Sequence, residues 1–214
     1  MVEIIPAVLP KSFEELETAL AHLHGVAPLV QIDLVQNNVL EGQESIPFWE
    51  EFDFEADIML PNPSSVVGSC VQAGASRIVV HASAKDAHQA LEALQDTRTG
   101  DFAVLVGVAL AAHDMPKALA PFAGMYDYVQ VMGIDHIGKQ GEPPDPHHHE
   151  ILLISQLRSL YPNLIIQVDG AAAAHVEELV QAGANRLIVG SAILTADNPQ
   201  KEFQRLYTIA NARS

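Results

Sequence analysis

Val71-Gln72-Ala73-Gly74-Ala75-Ser76-Arg77-Ile78-Val79-Val80 returns, 109 residues further on, as Val180-Gln181-Ala182-Gly183-Ala184-Asn185-Arg186-Leu187-Ile188-Val189. Each stretch reads as a helix end, a glycine turn and a buried strand, the joint between helix and strand in a barrel of like units. The interval is about half of the 214 residues. Outward from these joints, short β-rich apolar runs alternate with helical periodicity along the whole chain. Strands are predicted at residues 4–9, 29–34, 56–60, 77–81, 103–110, 126–132, 164–168 and 186–189. Eight strands with a half-length echo favour an α/β fold of the closed (β/α)8 TIM-barrel type, one domain over residues 1–214, rather than an open doubly wound sheet.

Between the first two strands, Ser12-Phe13-Glu14-Glu15 is a capping box, and Phe13, Leu16, Leu20 and Leu23 recur at helical spacing until Gly25 closes the segment. Further helical stretches are predicted at residues 64–73, 85–94, 116–122, 146–160, 174–182 and 199–211. The segment after the second strand, with Pro47 and Trp49, is less regular.

Composition narrows the function. An apolar share of 49% with 18% charged residues excludes a disordered chain. The longest apolar run, residues 102–112, is too short to span a bilayer. The start Met1-Val2-Glu3 carries an acid where a signal peptide wants bases, and the lone Cys70 cannot form an internal disulfide, so a reduced, cytoplasmic setting is expected. Eleven basic against 27 acidic residues give −16, which disfavours nucleic acid and anionic membranes and points to small-molecule partners.

In such a barrel the ligand meets side chains at the carboxyl ends of the strands. The polar residues expected there are Gln31, Asp33, Asp57, His81, Asp135, His136, Asp169 and Ser191. Gln31 and Asp33 are two apart and point the same way, so Asp33 and Asp169 would share the barrel mouth. Met59 and Met132 read as apolar walls, His136 as a loop residue able to meet a ligand, and His81 as either a core residue or a ligand contact. His147-His148-His149, after Pro144-Asp145-Pro146, read as a solvated helix entrance rather than a metal site. Cys70 reads as a small buried hydrophobe.

At these residues the sequence resembles the ribulose-phosphate 3-epimerase family, from Ile4 to about Leu206. Val131-Met132, Val168-Asp169-Gly170 and Gly190-Ser191-Ala192-Ile193 are the nearest matches, with Ile5-Pro6-Ala7-Val8-Leu9 as the first strand, Ala7 standing where Ser is usual. Gly138-Lys139-Gln140 resembles the end of the family's glycine-rich loop. The resemblance implies inversion at carbon 3 of a pentulose 5-phosphate by Asp33 and Asp169, acting from opposite faces. It also implies phosphate held by backbone N–H groups near Gly138, Gly170, Ala171, Gly190 and Ser191.

The departures fall on the metal ligands: Gln31 and Asp57 occupy the positions of the family's two metal histidines. Three clustered carboxylates need a cation or retained protons. An all-oxygen set of Gln31, Asp33, Asp57 and Asp169 favours Mg²⁺ or Mn²⁺ over Zn²⁺. The family's residues after the second-strand aspartate and after the fifth strand are replaced by Val35-Gln36-Asn37 and Ala111-Ala112-His113. A non-catalytic sugar-phosphate binder stays open beside the epimerase. A lyase of the same barrel group is disfavoured, because Asp33 is followed by Leu34-Val35-Gln36 with no lysine. Barrels of this group often pair, so a homo-oligomer also stays open.

Overall fold

The computed structural model describes residues 1–36, 39–100, 103–139, 141–144 and 146–212. Asn37, Gln140 and Asp145, named above, lie outside them. Eight parallel strands close into a barrel in chain order: β1 Glu3–Val8, β2 Leu29–Leu34, β3 Asp53–Ile58, β4 Arg77–His81, β5 Leu105–Leu110, β6 Tyr128–Met132, β7 Ile165–Asp169 and β8 Arg186–Val189. Around them lie α1 Phe13–His22, α2 Val67–Gln72, α3 Ala87–Ala93, α4 His149–Leu160, α5 Val176–Ala182, α6 Ser191–Leu194 and α7 Pro199–Ala210. The fold is the expected (β/α)8 barrel. Its main apolar core lies between the outward faces of the strands and the helices, where Ile32, Ile58, Ile78, Leu110 and Leu157 are fully covered.

The repeated joint folds the same way twice. Gly74 and Gly183 take left-handed φ of 89° and 117°. The N–H groups of Ala75 and Ala184 donate to the carbonyls of Cys70 and Leu179, both at 3.0 Å, while Gly74 and Gly183 donate to Val71 and Val180 at 3.1 Å. This pattern satisfies the last carbonyls of each helix and turns the chain into the next strand. The arginines that follow, Arg77 and Arg186, both reach Glu3 at 3.2 Å on the barrel floor.

At the start of α1 the Ser12 hydroxyl accepts from the Glu15 N–H at 3.2 Å, and the Glu15 carboxylate accepts from the Lys11 N–H at 2.8 Å. At the other end of the chain, the Asn211 side chain bonds both backbone groups of Val2, at 2.8 and 3.0 Å, tying the last helix beside the first strand.

Several boundaries differ from expectation. Strand β3 starts at Asp53 rather than 56, because Asp53 to Ile58 pair in unbroken register with Leu29 to Leu34. Met59 therefore lies beyond the strand end. Residues 116–122 form a 3₁₀ rather than an α-helix, with Pro121 inside it lacking the N–H an α-turn needs. The stretch expected at 146–160 becomes helical only at His149, since His148 is left-handed at φ 52°. The stretches expected at 64–73 and 174–182 each open with a 3₁₀ turn, Pro63–Ser65 and Ala172–Ala174, before α2 and α5.

Candidate active site

Alternation along parallel strands sends every second residue into the barrel. Asp33 pairs in register with Asp57, and Met132 with Asp169. Asp33, Asp57 and Asp169 thereby meet at the carboxyl ends of β2, β3 and β7, all buried, with donor oxygens within 4.8 Å of one another. His81, at the end of β4 and also buried, donates through Nε2 to Asp57 Oδ1 at 2.9 Å.

Beneath the acids lies a layer of amides. Gln31 Nε2 donates to Asp33 Oδ1 at 2.7 Å and reaches Asp169 Oδ2 at 3.4 Å. Gln130 Nε2 donates to Asp57 Oδ2 at 2.6 Å. The carbonyl oxygens of both glutamines face Gln167 Nε2, at 3.3 and 2.7 Å. In this orientation Gln31, expected among the oxygen ligands, presents hydrogen-bond donors to the acids rather than an oxygen.

Burial and mutual repulsion set the electrostatics. Asp33 is held well above the usual carboxylate range by burial, then by the charges of Asp169 and Asp57, against the Gln31 hydrogen bond. Asp169 is pushed up to about 7, again by burial first and then by Asp57, with His81 and Gln31 pulling the other way. Burial alone would lower His81, but the charge and hydrogen bond of Asp57, with Asp169 behind, raise it.

A cleft opens above the acids, lined by Asp33, Met59, Gly138, Asp169, Gly170, Ala171, Gly190 and Ser191, with Lys139 and Glu142 at its edge. Gly170 has φ 95°, and a Cβ there would sit 2.7 Å from Ile134 Cγ1, so only glycine lets the loop after β7 pack against the loop after β6. Ala171 follows at φ 52°. The helix that Ser191 opens, α6, has four residues, so it offers an anion a few free N–H groups rather than a long dipole.

The expected site residues thus separate by depth. Asp33, Asp169, Met59 and the glycine-loop residues line the cleft. Gln31, Asp57, His81 and Met132 form its buried floor, with Met132 Sδ 3.4 Å from Gln130 Nε2. His136 is exposed and turns to Glu142 at 3.4 Å. His149 opens α4, with the rings of His113 and His147 4.4 and 5.5 Å away. Among the described residues the three aspartates are the group that gathers donors for an ion. Cys70 is buried in α2, its thiol pushed up to about 12. Sequence reasoning missed Glu55, Gln130 and Gln167, although each stands two positions before a residue it did name, the period that puts side chains on one face of a strand.

A closed parallel barrel with buried acids at its mouth, ringed by glycine-bearing loops, defines the class of (β/α)8 proteins whose chemistry sits at the C-terminal face. Within that class the chain belongs to the ribulose-phosphate 3-epimerase family, whose model, described as "Ribulose-phosphate 3 epimerase family", matches residues 3–194. It is 29% identical over 158 residues to a ribulose-phosphate 3-epimerase of Schizosaccharomyces pombe (strain 972 / ATCC 24843), covering 73% of this chain and 66%, just under two thirds, of that protein. It is 24% identical over 200 residues to the Aquifex aeolicus (strain VF5) ribulose-phosphate 3-epimerase, covering 88% and 87% of the two chains. A 3-hexulose-6-phosphate synthase structure from Salmonella typhimurium shares the fold at TM-score 0.70 and 16% identity, over 98% of both chains. An orotidine 5'-monophosphate decarboxylase from Sulfolobus solfataricus does so at 0.62 and 15%, again over 98% of both. Among the described residues no helix is long and apolar enough to cross a membrane.

Proposed function

We propose that this protein epimerises a pentulose 5-phosphate at carbon 3 by two-base proton transfer between Asp33 and Asp169. The observation that carries the reading is the meeting of these acids, from β2 and β7, in one cleft with both carboxyls raised. A pair of acids in that range can share the work, one ionised and taking the proton, the other protonated and returning it. The C3–H bond breaks toward one carboxylate, its electron pair moves to the C2 carbonyl oxygen, and the other carboxyl returns a proton to the opposite face of C3. Gln31 Nε2 touches both acids and holds them in one frame. Gly138, Gly170, Ala171, Gly190 and Ser191 would receive the phosphate through backbone N–H groups, with Met59 as the apolar wall, Met132 beneath and His136 at the rim.

The three carboxylates fit a hard divalent cation: the donors are oxygens, they converge, and the charge of Asp57 raises both Asp33 and Asp169, a load that a cation relieves. Asp33, Asp57 and Asp169 would hold Mg²⁺ or Mn²⁺ in preference to Zn²⁺, with Gln31 joining only if its amide turned over. When bound, such an ion supplies Lewis-acid polarisation of the substrate oxygens.

In D₂O with ribulose 5-phosphate and Mn²⁺, deuterium is expected at carbon 3, and Asp33→Asn or Asp169→Asn is expected to abolish the exchange. A second reading, a sugar-phosphate binder without turnover, is favoured by the substitution of Gln31 and Asp57 for the two histidines that the resemblance leads one to expect. Binding without exchange under Mg²⁺, Mn²⁺ or Zn²⁺ would select it.

A further inference from the structure

The amide layer has a direction, and one residue sets it. Gln167 Nε2 lies 2.5 Å from Glu55 Oε1, 2.7 Å from Gln130 Oε1 and 3.3 Å from Gln31 Oε1. Tyr128 donates its hydroxyl to Glu55 Oε2 at 2.7 Å. Glu55, Gln31, Gln130, Gln167 and Tyr128 are all buried, so no bulk water substitutes for a misplaced partner. A side-chain amide is two-faced, whereas a carboxylate only accepts. With Glu55 accepting, Gln167 must turn its NH₂ inward. One of its two hydrogens goes to Glu55 and the other to the Gln130 carbonyl at 2.7 Å, which must face it, with the Gln31 carbonyl sharing that hydrogen at 3.3 Å; the NH₂ groups of Gln130 and Gln31 then face Asp57 and Asp33.

We infer that Glu55 is a positioning residue, which imposes through Gln167 the amide orientation that presents Gln130 and Gln31 as donors to the aspartates. The inference rests on the epimerase reading only for its kinetic consequence. The opposite orientation would set the Gln130 carbonyl oxygen against the Asp57 carboxylate at 2.6 Å, the separation now held by an N–H donor, a repulsive arrangement in a low-dielectric interior. Burial, with the charge of Asp57 behind it, leaves the Glu55 carboxyl above its ordinary range, and the Tyr128 and Gln167 hydrogen bonds and the charge of Arg77 pull it back toward the accepting, ionised form. Gln167 Oε1 is left buried without a partner, so the layer keeps its direction at the expense of one unsatisfied acceptor.

The test is Glu55→Gln, which keeps shape but can present either face, with Glu3→Gln on the barrel floor as the control carboxylate outside this layer. In ¹⁵N-labelled protein the side-chain NH₂ signals of Gln31, Gln130 and Gln167 are expected to exchange with solvent at least tenfold faster in Glu55→Gln, and to stay unchanged in Glu3→Gln. Ribulose 5-phosphate turnover is expected to lose at least tenfold in kcat with KM within twofold. Unchanged amide exchange overturns the inference; altered exchange with unchanged kcat overturns the positioning role. Should Glu55→Gln not fold, a through-hydrogen-bond coupling in the parent protein from Gln130 Nε2 to the Asp57 carboxylate decides instead, and a Gln130 carbonyl facing Asp57 overturns the inference. If the parent protein turns over no sugar phosphate, the epimerase reading fails alone, and the amide measurements still decide the orientation.

Discussion

Asp169 moves from an ordinary 3.8 to about 7 on folding. Between those values the folded protein binds the proton more tightly than the unfolded chain. The stability this contributes is complete below pH 3.8 and is lost as pH rises to 7. In protein stripped of metal by EDTA, Asp169→Asn is therefore expected to melt several degrees above the parent at pH 8 and close to it at pH 4, by calorimetry. A variant melting lower at pH 8 would show that the carboxylate is already compensated. Asp169 was legible because Val168-Asp169-Gly170 resembles a family motif, and Asp33 because strand alternation with Gln31 turns it toward the barrel mouth although the residues around it depart from the family. The direction of the Gln130 amide was not: it is set by Gln167, 37 residues away on another strand, and local sequence carries no trace of it.

The duplicated joint was legible as an element because its cause is local: a glycine in left-handed geometry, followed by an apolar run. Its two copies differ in what surrounds them. A Cβ on Gly74 meets nothing within 4 Å, while one on Gly183 would sit 2.9 Å from Arg158 Cγ. Arg158 cannot easily withdraw, since its guanidinium donates to the Gly183 carbonyl at 2.7 Å and to Asn185 Oδ1 at 2.6 Å. Gly74→Ala is expected to cost about 1–2 kcal/mol from backbone strain alone, and Gly183→Ala clearly more, by urea denaturation. Equal losses would mean that Arg158 yields freely. Elements whose ends depend on distant partners were read less well. The start of β3 is set by pairing with β2, and residues 116–122 are apolar at helical spacing yet pulled into a 3₁₀ helix around Pro121.

At the scale of the whole molecule, a net charge of −16 opposes the approach of a sugar phosphate, and backbone N–H groups act only at short range. Raising ionic strength from about 10 to about 150 mM shortens the screening length from ~30 to ~8 Å. The expected result is a rise in kcat/KM with NaCl, measured at fixed divalent ion; a fall would reveal a local cationic route, with Lys139 at the cleft edge as its source. The closed ring was readable from the strand count and the half-length echo, whereas the polar filling of its interior was not, because those residues hide among apolar neighbours along each strand. That filling bears on how such a chain can change over generations. Where oily side chains plug a cylinder, single replacements of similar bulk pass with little harm. Here a lone exchange at Glu55, Gln130 or Gln167 strands a neighbour, so drift inside this cylinder should proceed by compensating pairs, and lineages should differ there in whole sets of residues rather than singly.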